Sequence, residues 1–188
     1  TNNTLWTYPI GWTHSSPAIA DGMVFIGASN GNLYALNATN GTLLWTYATT
    51  DSVNSPAVAN GKVFVAEVDG EVYALNETDG TLIWSYTTGF SIYSSPSVSE
   101  GRVFIGSGDG YIYALNETIG ELLWRYYIIS TGESSPAVAD GMVFIGSQYY
   151  ELVKAFNATS GVVVWTFTGS YGEYVASSPA VDNGRVFV

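Results

Sequence analysis

The chain has 188 residues, of which 47% are hydrophobic and 15% aromatic, and this composition excludes a disordered protein. Five Lys and Arg residues stand against sixteen Asp and Glu residues, and the formal charge of −11 disfavours nucleic acid and anionic membranes as partners. Cysteine is absent, which excludes disulfides, thiolate metal sites and cysteine nucleophiles, and no apolar run reaches the ~18 residues of a membrane-spanning helix.

The predicted elements follow one plan from the N-terminus onwards. An outer strand is predicted at Leu5–Tyr8, and four repeats of four antiparallel strands follow it at approximately 15–47, 54–86, 94–126 and 134–167. In the third repeat, the strands are a short segment after the Ser-Pro step, then RVFIGSG, YIYALN and ELLWRY, with Asp109-Gly110 as a hairpin turn. Residues 177–188 contribute two more strands, which with residues 1–8 are predicted to form a partial blade.

The repeat period identifies the fold class. Ser-Pro steps place proline at 17, 56, 96, 136 and 179, which gives spacings of 39, 40, 40 and 43 residues. The second strand of each repeat is apolar on both faces, so both faces must be covered by neighbouring repeats. We therefore predict an all-β protein, a single β-propeller domain with four full blades and a partial fifth. The frame of the repeats predicts a fragment of a larger propeller; the alternatives are an imperfectly closed five-bladed ring and edges that pair with another copy.

The repeat motif resembles a known family. Ala-Leu-Asn-x-x-x-Gly-x-Leu-x-Trp, preceded by segments such as SSPAVADGMVFIGS, is similar to the pyrroloquinoline-quinone (PQQ)-type propeller repeat along essentially the whole chain. Quinoprotein alcohol dehydrogenases, a bacterial outer-membrane assembly lipoprotein and many archaeal surface proteins carry this repeat. The resemblance implies that the motif glycines and tryptophans dock neighbouring blades, at Gly41, Trp45, Gly80, Trp84, Gly120, Trp124, Gly161 and Trp165, with Trp6 in the same role.

Propeller connectivity sorts the loops onto two faces. The turns between first and second strands and the loops between third and fourth strands form the lower face, which is nearly the same in every repeat. The links between blades and the turns between second and third strands form the upper face, which varies and is therefore where binding is expected. Its candidate binding residues are Trp12, His14, Phe90, Tyr93, Tyr149, Tyr150, Tyr171 and Tyr174. The alternative is that these aromatic residues only pack the loops against the rim.

Every repeat also carries an Asn-x-Thr triplet on the lower face. This triplet is the acceptor signal for N-glycosylation in secreted proteins. The candidate acceptors are Asn2, Asn37, Asn40, Asn76, Asn116 and Asn157. A turn stabilised by the asparagine side chain is the alternative interpretation.

No catalytic residue is predicted. His14 is the only histidine, and the serines beside it recur in other repeats without a histidine. The vicinal cysteine pair of the quinoprotein dehydrogenases is missing, so no cofactor is expected, with PQQ and Ca2+ as the weak alternative. No metal site is predicted either; the weak candidate is the carboxylate group Glu67, Asp69 and Glu71 around one hairpin turn.

The interpretation we favour is a non-catalytic, glycosylated propeller scaffold on the cell surface or outside the cell, of the archaeal surface-protein type. Its expected partner is a protein, a glycan or further copies of itself. The alternatives are a PQQ-binding oxidoreductase domain and an envelope assembly factor that binds partners by strand addition.

Overall fold

A computed structural model describes residues 3–129, 133–147, 152–170, 173, 175 and 177–188. These residues form 18 strands, and they contain no helix of a length and hydrophobicity that could cross a membrane. The strands are β1 (Ala18–Ala20), β2 (Met23–Gly27), β3 (Asn32–Asn37), β4 (Leu43–Ala48), β5 (Ala57–Ala59), β6 (Lys62–Ala66), β7 (Glu71–Asn76), β8 (Leu82–Thr87), β9 (Ser97–Ser99), β10 (Arg102–Gly106), β11 (Tyr111–Asn116), β12 (Leu122–Tyr127), β13 (Ala137–Ala139), β14 (Met142–Gly146), β15 (Val153–Asn157), β16 (Val163–Phe167), β17 (Ala180–Asp182) and β18 (Arg185–Phe187).

The strands form four four-stranded antiparallel sheets in chain order, followed by one two-stranded sheet. β1–β4, β5–β8, β9–β12 and β13–β16 are blades 1 to 4, and β17 pairs with β18 in a two-stranded sheet. Each strand pairs with its neighbour in sequence, as in a meander. This arrangement confirms the predicted all-β fold of four-stranded blades.

The turns between the first two strands of each sheet explain why the lower face is so uniform. Both turn residues have positive φ in every sheet, for example Asn60 at 51° and Gly61 at 71°. Two-residue turns of this handedness match the right-handed twist of a hairpin, and Asn, Asp and Gly tolerate them best. The backbone therefore favours the repeated Asp-Gly and Asn-Gly dipeptides, although Glu100 adopts the same conformation, with φ of 50°, in the third blade.

The core lies between the blades. Phe64 and Ala74 of blade 2 share one cluster with Val103, Ile105 and Tyr113 of blade 3, and all five are at most 1% exposed. Such a cluster requires second strands that are apolar on both faces, which is the pattern that the sequence shows. Packing between sheets is therefore what fixes the positions of the links on the upper face.

The first predicted strand is not formed. Residues 3–17 contain no strand, although Leu5–Tyr8 carries the sequence of an outer strand. The physical reason is that the described structure gives this segment no third strand to pair with. Trp6 is nevertheless held on blade 1, where its Nε1 donates to Ala38 O at 3.0 Å.

Candidate functional site

Tryptophan and glycine join successive blades. Trp45 donates from Nε1 to Glu77 O of blade 2 at 2.9 Å, and Trp84 donates to Glu117 O of blade 3 at 2.9 Å. A Cβ atom on Gly80 or Gly120 would lie 2.6 Å from the indole ring of the preceding blade's tryptophan. Trp6 with Gly41 and Trp124 with Gly161 repeat the arrangement. The docking residues therefore set the relative positions of the links.

Trp165 is placed differently from the other docking tryptophans. It is 37% exposed, whereas Trp45 is 8% and Trp84 7% exposed. It lines an apolar cavity of about 470 Å3 between β16 and the two-stranded sheet, together with Phe167, Val186 and Val188. No described residue accepts a hydrogen bond from its Nε1.

The asparagines of the Asn-x-Thr triplets hold the lower-face loops. Asn76 Oδ1 accepts a hydrogen bond from the backbone N–H of Thr78 at 2.8 Å, and Asn116 Oδ1 does the same for Thr118 at 2.8 Å. Asn37 and Asn157 make the equivalent bonds. The side-chain oxygen of each asparagine is thus used by the turn, whereas the described structure assigns no partner to the amide nitrogen that a sugar would modify. Asn40 caps Thr42 in the same way, and Asn2 lies outside the described residues.

The upper face contains a groove of about 450 Å3 whose lining residues are mainly polar. The four segments that precede the blades all contribute to its lining, through His14, through Ser52–Ser55, through Tyr93 and Ser95, and through Glu133 and Ser135. We call this cavity the upper-face groove. Since each blade adds one link to it, its shape is set by the docking of the blades.

Serines connect the links that line the groove. The backbone N–H of Ser16 donates to Ser55 Oγ at 2.8 Å, and that of Ser95 donates to Ser135 Oγ at 2.8 Å. Each hydroxyl therefore accepts one hydrogen bond, and no described acceptor takes the protons of Ser55 and Ser135. A serine hydroxyl donates as well as accepts, so these groups are available to a ligand with carbonyl or hydroxyl oxygens.

Asn54 occupies the position that Ser94 and Ser134 hold in the next two repeats. Its Nδ2 donates to Ile92 O at 2.9 Å and to Ser94 O at 3.3 Å, and so joins two links beneath the groove. Ser94 and Ser134 instead hold a glycine of their own blade, where Gly106 N and Gly146 N donate to their hydroxyls at 3.0 and 2.9 Å.

The structure brings together only some of the predicted upper-face residues. His14 and Tyr93 line the groove, and Tyr93 is 53% exposed. Trp12, 86% exposed, and Phe90, 63% exposed, lie outside it. The predictions for Tyr149, Tyr150, Tyr171 and Tyr174 fall outside the described residues.

Sequence reasoning missed the serines, Asn54 and Glu133 of the groove. The serines recur in every repeat, and repetition was interpreted as a requirement of the fold alone. Asn54 gave a usable signal, because it departs from the Ser-Ser-Pro pattern of its neighbours.

Glu67 is a fully buried carboxylate that ties one link to blade 2. It accepts hydrogen bonds from Tyr73 Oη at 2.8 Å, from Thr50 N at 3.0 Å and from Asp51 N at 3.2 Å. Burial raises the pKa of Tyr73, and the hydrogen bond to the Glu67 carboxylate raises it further. The Thr50 hydroxyl bonds to Asp69 and lowers the pKa of that carboxyl.

The three weakly predicted metal ligands accept hydrogen bonds from hydroxyl groups, and Glu67 and Asp69 share the Thr50 hydroxyl. Glu67 faces Tyr73 and Thr50, Asp69 faces Thr50, and Glu71 accepts from the Thr87 hydroxyl. In the described part of the chain, no three His, Cys, Asp or Glu side chains are grouped so that they could hold a metal ion. The bonds of Glu67 are those of a structural carboxylate.

The described lining of the upper-face groove does not fit PQQ. PQQ is a tricarboxylate and requires cationic partners. The described lining contains no Lys or Arg and carries the Glu133 carboxylate, so its charge opposes an anionic ligand.

Comparisons with known structures agree with the fold of four-stranded blades. A structure of BamB from Moraxella catarrhalis superposes with a TM-score of 0.76 at 23% identity. The match covers 92% of this chain and 56% of the BamB chain. The quinohemoprotein alcohol dehydrogenase ADHIIG from Pseudomonas putida HK5 superposes with a TM-score of 0.80 at 20% identity. The match covers 98% of this chain and 40% of that protein. The quinohemoprotein alcohol dehydrogenase from Comamonas testosteroni superposes with a TM-score of 0.75 at 19% identity. The match covers 94% of this chain and 39% of that protein. No curated protein sequence matches the chain.

These structural likenesses show the fold, and the chain spans between 39% and 56% of the proteins concerned. A sequence family model extends the result, because it matches residues 1–92 and 87–188. The chain therefore belongs to the PQQ-type repeat family whose model is described as outer membrane protein assembly factor BamB.

Proposed function

We propose that this chain is a non-catalytic binding scaffold that holds an extended, basic peptide segment of a partner protein in the upper-face groove. The observation that carries the proposal is the lining of the groove. The hydroxyls of Ser55 and Ser135 have protons free for backbone carbonyls, Tyr93 offers an exposed ring, and Glu133 offers a negative charge. The overall charge of −11 favours a basic partner as well.

The family supports an interaction role. Its model is described as an outer membrane protein assembly factor, and BamB is among the similar structures. The oxidoreductase alternative is disfavoured by the groove's charge. A serine triad is disfavoured by its geometry, because Ser15 Oγ donates to Ser16 O and no described hydrogen bond joins His14 to either serine.

We further propose that the chain acts outside the cytoplasm, at the cell surface, with sugars on its lower face. The triplet asparagines lie on loops whose threonines are exposed, on the face opposite the groove. Sugars placed there leave the upper face free for a partner. The archaeal surface-protein type remains part of this proposal.

A peptide selection tests the groove. A displayed library of random dodecamers is panned against the wild-type chain, and the enriched peptides are titrated against Tyr93→Ala and Trp12→Ala. Trp12 is an exposed aromatic residue of the same face that lies outside the groove. We expect basic peptides that bind Tyr93→Ala at least about tenfold more weakly and Trp12→Ala with unchanged affinity.

Four outcomes would contradict the peptide proposal. One is no enrichment, and another is equal binding to all three proteins. The third is binding of glycans to the wild type on an array, lost in Tyr93→Ala, without peptide enrichment; the groove would then be a sugar site. Self-association that Tyr93→Ala abolishes would make a second copy the partner.

A further inference from the structure

The lower-face contacts between blades differ in charge. In each contact, the residue after the third-strand asparagine of one blade faces the first turn of the preceding blade. At the contact between blades 2 and 3, this residue is Glu117. It accepts from Asn60 Nδ2 at 3.0 and 3.1 Å and from Lys62 Nζ at 3.2 Å, and is 4% exposed. Here a buried carboxylate has an amide and an ammonium as partners.

The contact between blades 1 and 2 has the same carboxylate without those partners. Glu77 takes the place of Glu117 and is equally buried, at 4% exposure. The residues opposite it are Asp21 and Met23, where the next contact has Asn60 and Lys62. As a result, Glu77 Oε1 is buried with no hydrogen-bond donor among the described residues.

Asp21 and Glu77 occupy the positions that Asn60 and Glu117 hold at the next contact, where the two side chains are hydrogen-bonded. Burial raises the pKa of Glu77, and the negative charge of Asp21 raises it further. The main chain of Glu77 is fixed, because its N–H donates to Gly61 O at 3.0 Å and its carbonyl accepts from Trp45 Nε1 at 2.9 Å. The backbone that carries this carboxylate is therefore fixed at the contact.

The contact between blades 3 and 4 has a cationic side chain without the carboxylate. Ala158 stands in place of the glutamate, and Arg102 stands in place of Lys62. Arg102 Nε is buried without a described partner. Comparison of the three contacts shows that a carboxylate at this position is matched by a cation only between blades 2 and 3.

We propose that Asp21 and Glu77 form a binding site for a hard divalent cation of the calcium class. Two carboxylates carry two negative charges, which one such ion neutralises, and their oxygens are the ligands that Ca2+ prefers. Asp21 is exposed, so water can complete the coordination. With only two protein carboxylates, the site is expected to bind in the range of extracellular calcium modules, about 10⁻⁴ to 10⁻³ M.

The chain offers a matched set of variants for the test. Asp21→Asn/Met23→Lys installs the donors that Glu117 has. Asn60→Asp/Lys62→Met makes the reverse change between blades 2 and 3. Asn at position 21 suits the turn, since Asn60 and Asn183 occupy equivalent positions with φ of 51° and 47°. Neither exchange touches the upper-face groove.

Thermal unfolding is measured with and without about 10 mM CaCl2 at constant ionic strength. We expect Ca2+ to raise the Tm of the wild type by about 3 °C, as a ligand near millimolar affinity does for a chain of this size. Asp21→Asn/Met23→Lys should lose this rise in Tm. Asn60→Asp/Lys62→Met should show a larger rise than the wild type, because it has two such sites. Terbium provides a local readout, because Trp45 beside Glu77 can sensitise its emission and Ca2+ should displace it.

The proposal is overturned if Ca2+ leaves the Tm of the wild type unchanged. It is also overturned if Asp21→Asn/Met23→Lys keeps the full calcium response or the full terbium emission, because the ion would then bind elsewhere. Should the double variant fail to fold, Glu77→Gln provides the same comparison with a single conservative change.

Discussion

At the residue scale, the pair Glu77 and Glu117 shows how one sequence position can stabilise or strain the same loop. Both side chains are 4% exposed and follow the same asparagine of their repeats. Glu117 has the Lys62 ammonium at 3.2 Å, whereas Glu77 faces Asp21. A buried carboxylate without a partner costs stability, and one that is paired is costly to remove.

We predict opposite effects for the same substitution at these two positions. In metal-free buffer at pH 7, Glu77→Gln should raise the free energy of unfolding by about 1 kcal/mol, because it removes an ionised group without a partner. Glu117→Gln should lower it by about 1 kcal/mol, because it removes the charged partner of Lys62. Chemical denaturation of both variants measures the difference.

The pH dependence of Glu77→Gln has a definite sign. The pKa of Glu77 in the folded chain lies above its ordinary value of 4.5, owing to burial and to Asp21. The unfolded chain therefore loses this proton first as the pH rises, and the folded state is penalised above pH 4.5. The advantage of Glu77→Gln should be full at neutral pH and vanish below that value. An advantage that grows on acidification would contradict this explanation.

At the element scale, the unit of construction is a tryptophan on a fourth strand packed on a glycine of the next blade. Glycine serves two purposes there, since it adopts a positive φ and leaves space for the indole ring. Gly80 has φ of 72°, and its Cβ would meet Trp45 at 2.6 Å. Gly61 has nearly the same φ, 71°, but a Cβ atom added there would have nothing within 4 Å.

This pair separates backbone strain from docking. Gly61→Ala should cost about 1 kcal/mol, the strain of a left-handed alanine. Gly80→Ala should cost about 3 kcal/mol, because overpacking against Trp45 adds to the same strain. Denaturant titration gives both values, and equal costs for the two variants would show that Trp45 moves aside without penalty.

The elements were largely predictable from the sequence, and the reasons are local. Gly-x-Val-Phe runs, Asp-Gly turns and the Ala-Leu-Asn motif specify strands and turns that neighbouring residues alone determine. The predicted strand at Leu5–Tyr8 is not formed, since a strand also needs a partner.

The groove was less predictable than the strands, because His14 and Tyr93 are the only described lining residues that the sequence analysis named. Ser55 and Ser135 gain their role from contacts between repeats about 40 residues apart, which a repeat pattern does not distinguish from a purely structural requirement.

At the scale of the whole molecule, the two faces have different surfaces and different proposed roles. The upper face has the polar groove, and the lower face has uniform turns and Asn-x-Thr loops. The blades between them are fixed by the tryptophan and glycine contacts. A ligand on one face and a modification on the other are therefore compatible in one rigid scaffold.

Glycosylation of the lower face can be tested without disturbing its turns. The turn uses the backbone N–H of Thr78, at 2.8 Å from Asn76 Oδ1, and no described hydrogen bond involves the Thr78 hydroxyl. Thr78→Ala should therefore preserve the fold and abolish the acceptor signal. In the native host, intact mass should show hexose-containing additions on the wild type and one fewer on the variant. An unmodified mass for the native chain would contradict the proposal.

The most direct test of the central claim is hydrogen exchange with a selected peptide bound. If the chain is a scaffold that binds through its upper face, protection should appear at residues 52–55, 93–95 and 133–135, the segments that contain lining residues of the groove. The lower-face turns at 60–61 and 100–101 should exchange as in the free protein. Protection confined to the lower-face turns, or to the edge of β18, would contradict the account.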